Sequence, residues 1–231
     1  MPSTDTPHTL DAFHRGRFHL LQPALKGHRS GVDAMVLASA VPDDFSGRVA
    51  DLGAGAGAAG LAVLARCSKA KAVLIERSDF MADFARRSLA LPENAAIAAR
   101  TELVQADVTL TGKARVAAGL ADNSFDFVIM NPPFNRPTDR ATPDPVKAEA
   151  HVMTDGMMEQ WIRTAAAIVK PGGALAIIAR PASIAELLGA LQRRLAGWSS
   201  CRCSQDRRTR PSVSLSKVFA AAVRALRLPR P

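Results

Sequence analysis

Two short stretches of the chain hold residues whose types and spacing can do chemistry: DLGAGAGAAG at 51–60 and NPPF at 131–134. In the first, glycines let the backbone turn sharply and lie close to a ligand at the start of a helix. The spacing Gly55-x-Gly57-x-x-Gly60 suits either of two cofactors, NAD or S-adenosylmethionine. In the second, the Asn131 side-chain oxygen and the Pro132 carbonyl can accept both hydrogens of one planar –NH2 group. Such a nitrogen, on adenine or in a carboxamide, is a poor nucleophile because its lone pair is delocalised. Acceptors on both hydrogens favour the pyramidal geometry that frees the lone pair for in-line attack on a methyl sulfonium. Phe134 can stack on a flat substrate, as a flipped base requires. Pro132 and Pro133 end the preceding strand and stiffen the chain, so the acceptors do not swing.

Three acids stand where strands end. Asp51 precedes the glycines, where a carboxylate can hold the ammonium of S-adenosylmethionine and repels a pyrophosphate. Glu76, 25 residues on, can accept both hydroxyls of a ribose, which serves either cofactor. Asp107 can accept from an adenine amino group.

The elements that must position these residues alternate between strand and helix. Residues 47–55, 71–77, 102–107, 124–130 and 174–180 read as strands, the last after the stop Pro171-Gly172-Gly173. Residues 58–67, 78–91, 154–170 and 183–197 read as helices, with Ser78 or Asp79 as an N-cap. Near-continuous apolar strands alternating with helices imply an α/β fold with a doubly wound, mostly parallel sheet. Ligands in such sheets bind at the carboxyl ends of the strands, where the motifs lie. Residues 135–154 read as a long Pro- and charge-rich loop.

The 231 residues carry a net charge of +9, and its placement is uneven. From Arg180 onward there are 11 Lys+Arg against 2 Asp+Glu, whereas the rest of the chain holds 19 of each sign. A basic tail is an electrostatic footprint for nucleic acid or a solvated terminus. The organisation expected is an N-terminal segment over the cofactor site (1–45), a catalytic domain (46–200) and a basic tail (201–231). Three cysteines make no disulfide framework, no metal-ligand spacing appears, and no apolar run spans a membrane, so a cytoplasmic protein without a metal is expected. Met157, Met158 and Trp161 have the spacing of core residues, and His151 that of a solvated loop residue.

DLGAGAG together with NPPF resembles the Rossmann-like class I methyltransferases that act on planar exocyclic nitrogens. Among these the chain is similar to the bacterial family that methylates adenine N6 in the anticodon loop of a valine tRNA. FHRGRFHLLQPALKGHRSGVDAMVLA (13–38), AEAHVMTDGMMEQWI (148–162) and IVKPGGALAIIARP (168–181) also fit that family, and the likeness covers about residues 10–185. It implies S-adenosylmethionine as cofactor and RNA, specifically tRNA, as partner. Asp33, Asp51, Gly53, Gly55, Glu76, Asp107 and Asn131 are then cofactor contacts, and Asn131, Pro132 and Phe134 hold the target nitrogen. The tail departs from the pattern: such enzymes end in an antiparallel hairpin, and here only 212–219 has a weak strand pattern. Three rival activities are protein-glutamine N-methylation, small-molecule O-methylation and NAD-dependent oxidation. Asp51 and NPPF argue against the last.

Overall fold

The computed structural model describes residues 6–25, 29–133, 156–179, 183–192, 196–203 and 218–226. A hairpin comes first, β1 (His8–Phe13) and β2 (Phe18–Pro23), followed by α1 (Val32–Ser39). Alternation then begins: β3 (Arg48–Leu52), α2 (Ala58–Arg66), β4 (Lys71–Glu76), α3 (Asp79–Leu89), a 3-10 turn (Pro92–Asn94), α4 (Ala95–Ala98) and β5 (Thr101–Gln105). It continues with α5 (Gly112–Ala117), β6 (Phe125–Met130), α6 (Met157–Ile168), β7 (Val169–Ala179), α7 (Ile184–Gln192), β8 (Ala196–Cys203) and β9 (Val218–Leu226).

The main sheet has the order β5-β4-β3-β6-β7-β9-β8. Its first five strands are parallel, and β9 lies antiparallel to both β7 and β8. This is the doubly wound arrangement the apolar strands imply. Alternate residues of each strand feed opposite faces. Ala50, Leu52, Val128, Met130, Leu175 and Ile177 meet Met158, Trp161 and Ile162 of α6 and Leu187 of α7. Val49, Phe127, Ile129, Ala176 and Ile178 meet Leu37 of α1 and Leu61 and Leu64 of α2. Fully burying each of the larger of these side chains contributes about 1.5–3 kcal/mol before entropy is counted.

Local chemistry sets the ends of elements. Ser78 caps α3 by accepting the Met81 N–H, with Asp79 in the first turn and Arg86 and Arg87 in the last, matching the helix dipole. Helix α6 stops at Ile168, earlier than 170, because Val169 already pairs with Phe125. The register then shifts before Phe127↔Ala174. Gly173 sits in that irregularity, where a Cβ would come within 2.8 Å of the Asp126 carbonyl oxygen.

The tail corrects the sequence reading. It supplies two paired strands, β8 and β9, with Ala176↔Ala222 and Ser200↔Ala221 in register, in place of one weak strand over 212–219. Six of the nine residues of β9 are not β-branched or aromatic but alanine, leucine or arginine, and alanine is a poor strand former in isolation. Pairing with β7, not local preference, makes this segment extended.

Candidate active site

The site is a row of residues at the carboxyl ends of three neighbouring strands. Leu52 is in register with Ile75 on one side and with Met130 on the other. Glu76, Gly53 and Asn131 therefore leave β4, β3 and β6 side by side, spanning two strand spacings, roughly 10 Å.

The glycine turn is held from below. The N–H groups of Gly53 and Ala54 both donate to the Ile75 carbonyl, at 2.9 and 3.0 Å. Gly53 has φ +70°, and a Cβ there would lie 2.5 Å from the Trp161 ring. Gly55 has φ +58° and is buried, and a Cβ there would rest against Met81 Cε at 3.7 Å, an ordinary contact. At Gly60, inside α2, a Cβ would come within 2.5 Å of Leu74 and 3.2 Å of Asp51 Oδ2, so the helix lies directly against the sheet.

Asp51 is buried beneath the turn, and its Oδ2 accepts the Gly60 N–H at 2.8 Å. Burial pushes its carboxyl up to about 7; the Gly60 N–H opposes this and the Glu76 charge adds to it. Glu76 straps the turn from the other side. Its Oε2 accepts the Gly55 N–H at 2.8 Å and its Oε1 the Ser78 N–H at 2.7 Å. Each oxygen keeps a second lone pair for a hydroxyl donor.

Asp107 Oδ1 accepts from both the N–H and the hydroxyl of Thr109, at 2.8 and 2.7 Å, and Oδ2 lies 3.5 Å from Arg77. Partial burial would raise this carboxyl, but the Thr109 donors and the Arg77 guanidinium outweigh it and hold the carboxyl below its ordinary value. Asp33 is half-buried in the first turn of α1. Pro132 is buried next to Asn131, whose side-chain oxygen is buried and has no hydrogen-bond partner among the described residues. A buried acceptor left unsatisfied costs about 1–3 kcal/mol, which a donor from a ligand recovers. Phe134, the loop 135–154 and His151 lie outside the described residues.

Two contributors escape a motif-based reading. Thr109 follows Asp107 by two residues, a spacing that signals a side-chain-stabilised turn. Trp161 closes the underside of Gly53, and only tertiary packing reveals that. With Met158 it belongs to the core, as its helical spacing predicts.

The methyltransferase small domain family matches residues 29–196. The chain belongs to that family. It is an S-adenosylmethionine-dependent methyltransferase. Among solved structures it is similar to a predicted O-methyltransferase from Agrobacterium tumefaciens, at 47% identity over 83% of this chain and 80% of that one, with a TM-score of 0.66. The fold is shared with a 16S rRNA N2 G1207 methyltransferase of Thermus thermophilus, at 17% identity over 95% of this chain and 50% of that one, with a TM-score of 0.60. It is also shared with TrmN from Thermus thermophilus, at 17% identity over 88% of this chain and 51% of that one, with a TM-score of 0.60. No curated protein matches the sequence. Among the described residues, no helix is long and apolar enough to cross a membrane.

The residues fit the methyl donor. The turn is exposed at Gly53, with Asp51 buried beneath it and Glu76 bound to the Gly55 N–H, two acids suited to a cationic, hydroxyl-bearing ligand rather than to a pyrophosphate. When bound, S-adenosylmethionine supplies an electrophilic methyl group on a positively charged sulfur.

Proposed function

We propose that the protein methylates a planar exocyclic nitrogen, adenine N6 in a tRNA loop, and that Asn131 and Pro132 hold that nitrogen. The observation that carries this reading is the buried oxygen of Asn131, without a partner among the described residues, at the strand end beside Gly53. An amide oxygen accepts a hydrogen bond but is too weak a base to remove a proton from a hydroxyl. It suits a nitrogen whose attack needs geometry more than deprotonation. In the step, the nitrogen lone pair forms the new N–CH3 bond, the S–CH3 bond breaks, and the extra proton leaves the product nitrogen for solvent. Glu76 would hold the ribose hydroxyls, Asp51 the ammonium and Asp107 the adenine amino group, with Gly53 and Gly55 lining the turn and Asp33 contributing from α1. Phe134 stacks on the target ring, and residues 1–45 close one side of the site.

An RNA substrate is supported by the basic tail and by the nucleic-acid substrate named for the Thermus 16S rRNA enzyme of the same fold. A loop offers bases already unstacked, which lowers the cost of entering a pocket. A second reading, O-methylation, is favoured by the description of the Agrobacterium protein. The test is incubation of the protein with methyl-labelled S-adenosylmethionine and total bacterial tRNA, followed by nucleoside digestion. Label in N6-methyladenosine is the expected result. Label only in ribose 2′-O-methyl groups would favour the second reading, and no label in RNA would move the substrate to a protein or small molecule.

A further inference from the structure

Helix α2 starts at the glycine turn and runs back along the sheet, so its last turn lies at the far end from the site. There Arg66 donates to the carbonyls of Ala38, in the last turn of α1, and Val41, just after it, at 2.6 and 2.8 Å. The two helices pack side by side through Leu37, Ala38, Leu61 and Ala62. With their C-termini together and lengths of eight and nine residues, their N-termini also lie together. Residues Arg29 to Asp33, which lead into α1, therefore arrive at the same end of the sheet as the glycine turn, where Leu21 of the hairpin packs against the cluster of Ala56 and Met81.

Polar contacts tie that segment to the N-terminal hairpin. Arg29 donates through Nη2 to Asp11 Oδ2 at 2.8 Å, and through Nη1 to Thr9 Oγ1 at 2.9 Å and the Pro23 carbonyl at 3.0 Å. Gln22, only 2% exposed, donates to Asp11 Oδ2 at 2.7 Å and accepts the Ser30 N–H at 2.7 Å. One carboxylate oxygen thus gathers the hairpin, the buried Gln22 and the incoming chain. On either side, Leu25 and Val32 remain exposed. The Arg29–Asp11 pair is itself half-exposed, so its effect on global stability is small. Its geometric effect is not, because a forked guanidinium bound to three oxygens fixes the direction of the chain that carries it.

We propose that Asp11, Gln22 and Arg29 form a clasp that holds residues 29–33 at the mouth of the cofactor site, as positioning residues for cofactor binding. The inference rests on the glycine turn being that site. With the clasp formed, the ordering of this segment is complete before the ligand arrives; with it broken, ligand binding must order it, and affinity falls by the fraction of time the segment is in place.

The test compares wild type with Arg29→Ala and Arg29→Lys. S-adenosylhomocysteine affinity is measured by calorimetry, unfolding of the free protein by heat, and hydrogen exchange at the Ser30 amide with and without ligand. The clasp predicts a Kd raised about tenfold in R29A and partly recovered in R29K, which can reach Asp11 but not all three oxygens. The Tm of the free protein stays close to wild type. Exchange at Ser30 is faster in R29A and slows again when ligand binds. An unchanged Kd in R29A overturns the proposal, as does Ser30 exchange that ignores ligand in both proteins, which would make the contact merely structural. Wild type that fails to bind S-adenosylhomocysteine would instead overturn the cofactor assignment, and the clasp with it.

Discussion

Glu76 accepts the Gly55 amide at 2.8 Å, across the gap between the ends of β4 and β3, and this contact makes the glycine turn a fixed receptor. The same carboxylate also takes the Ser78 N–H that opens α3. One acid therefore joins the turn, β4 and α3.

Replacing Glu76 should cost affinity more than fold. In Glu76→Gln an amide NH2 must face either the Gly55 or the Ser78 N–H, so one donor opposes another. A charge-assisted hydrogen bond from a ribose hydroxyl to the carboxylate is worth about 1.5–3 kcal/mol, so S-adenosylhomocysteine binding should weaken by about ten- to a hundredfold in calorimetry. Binding within twofold of wild type would remove Glu76 from the site.

Asp51 gives a pH signature. Its folded carboxyl is raised from 3.8 to about 7, chiefly by burial. Between those values the folded protein keeps a proton that the unfolded chain has lost, so this group's contribution to stability is greatest below the lower value. It declines as pH rises through the upper one. Asp51→Asn keeps an oxygen for the Gly60 N–H and cannot ionise. In urea unfolding of the free protein, the stability of the variant relative to wild type should rise between pH 5 and pH 8. A constant difference would show that Asp51 does not titrate there.

Gly53 is constrained from two sides, by a positive φ and by Trp161. Gly53→Ala places a methyl group 2.5 Å from the ring and costs about 1–2 kcal/mol for the left-handed backbone, with the clash in addition. Thermal unfolding should show a lower Tm, and Trp161→Phe in the same chain should restore part of the loss. Additive losses would mean that the ring is not the obstacle.

Asn94, in the 3-10 turn after α3, is a buried amide that fastens the hairpin alongside Ser88 of α3. Asn94 accepts the His19 N–H at 2.9 Å and donates to the carbonyls of His19 and Ser88, each at 2.7 Å. Asn94→Ala leaves these backbone groups without partners and should destabilise the protein by about 2–4 kcal/mol in urea titration. A loss under 0.5 kcal/mol would show that water replaces the amide.

Much of this site is visible in the residues themselves. The alternation of apolar segments gives the five parallel strands, because a strand buried on both faces has no polar residues to hide its period. Glu76, Gly53 and Asn131 stand out because they follow such strands directly. The hairpin β1–β2 is less visible: Asn94 and Ser88 hold it from more than 60 residues away, and no local pattern encodes that contact. Strand β9 is hidden for a related reason, since an alanine-rich segment becomes extended only when β7 offers it an edge. The clasp of Asp11, Gln22 and Arg29 consists of ordinary polar residues at uninformative spacings, and only folding gathers them on one oxygen.

The central claim is that Asn131 acts on the target nitrogen, and its most direct measurement is the single-turnover rate of methyl transfer to tRNA by Asn131→Ala beside wild type, at saturating S-adenosylmethionine. Loss of a preorganised acceptor predicts a fall of about 10²–10³ in rate, with the label in wild type recovered as N6-methyladenosine. A variant that transfers methyl groups within threefold of the wild-type rate would contradict the account.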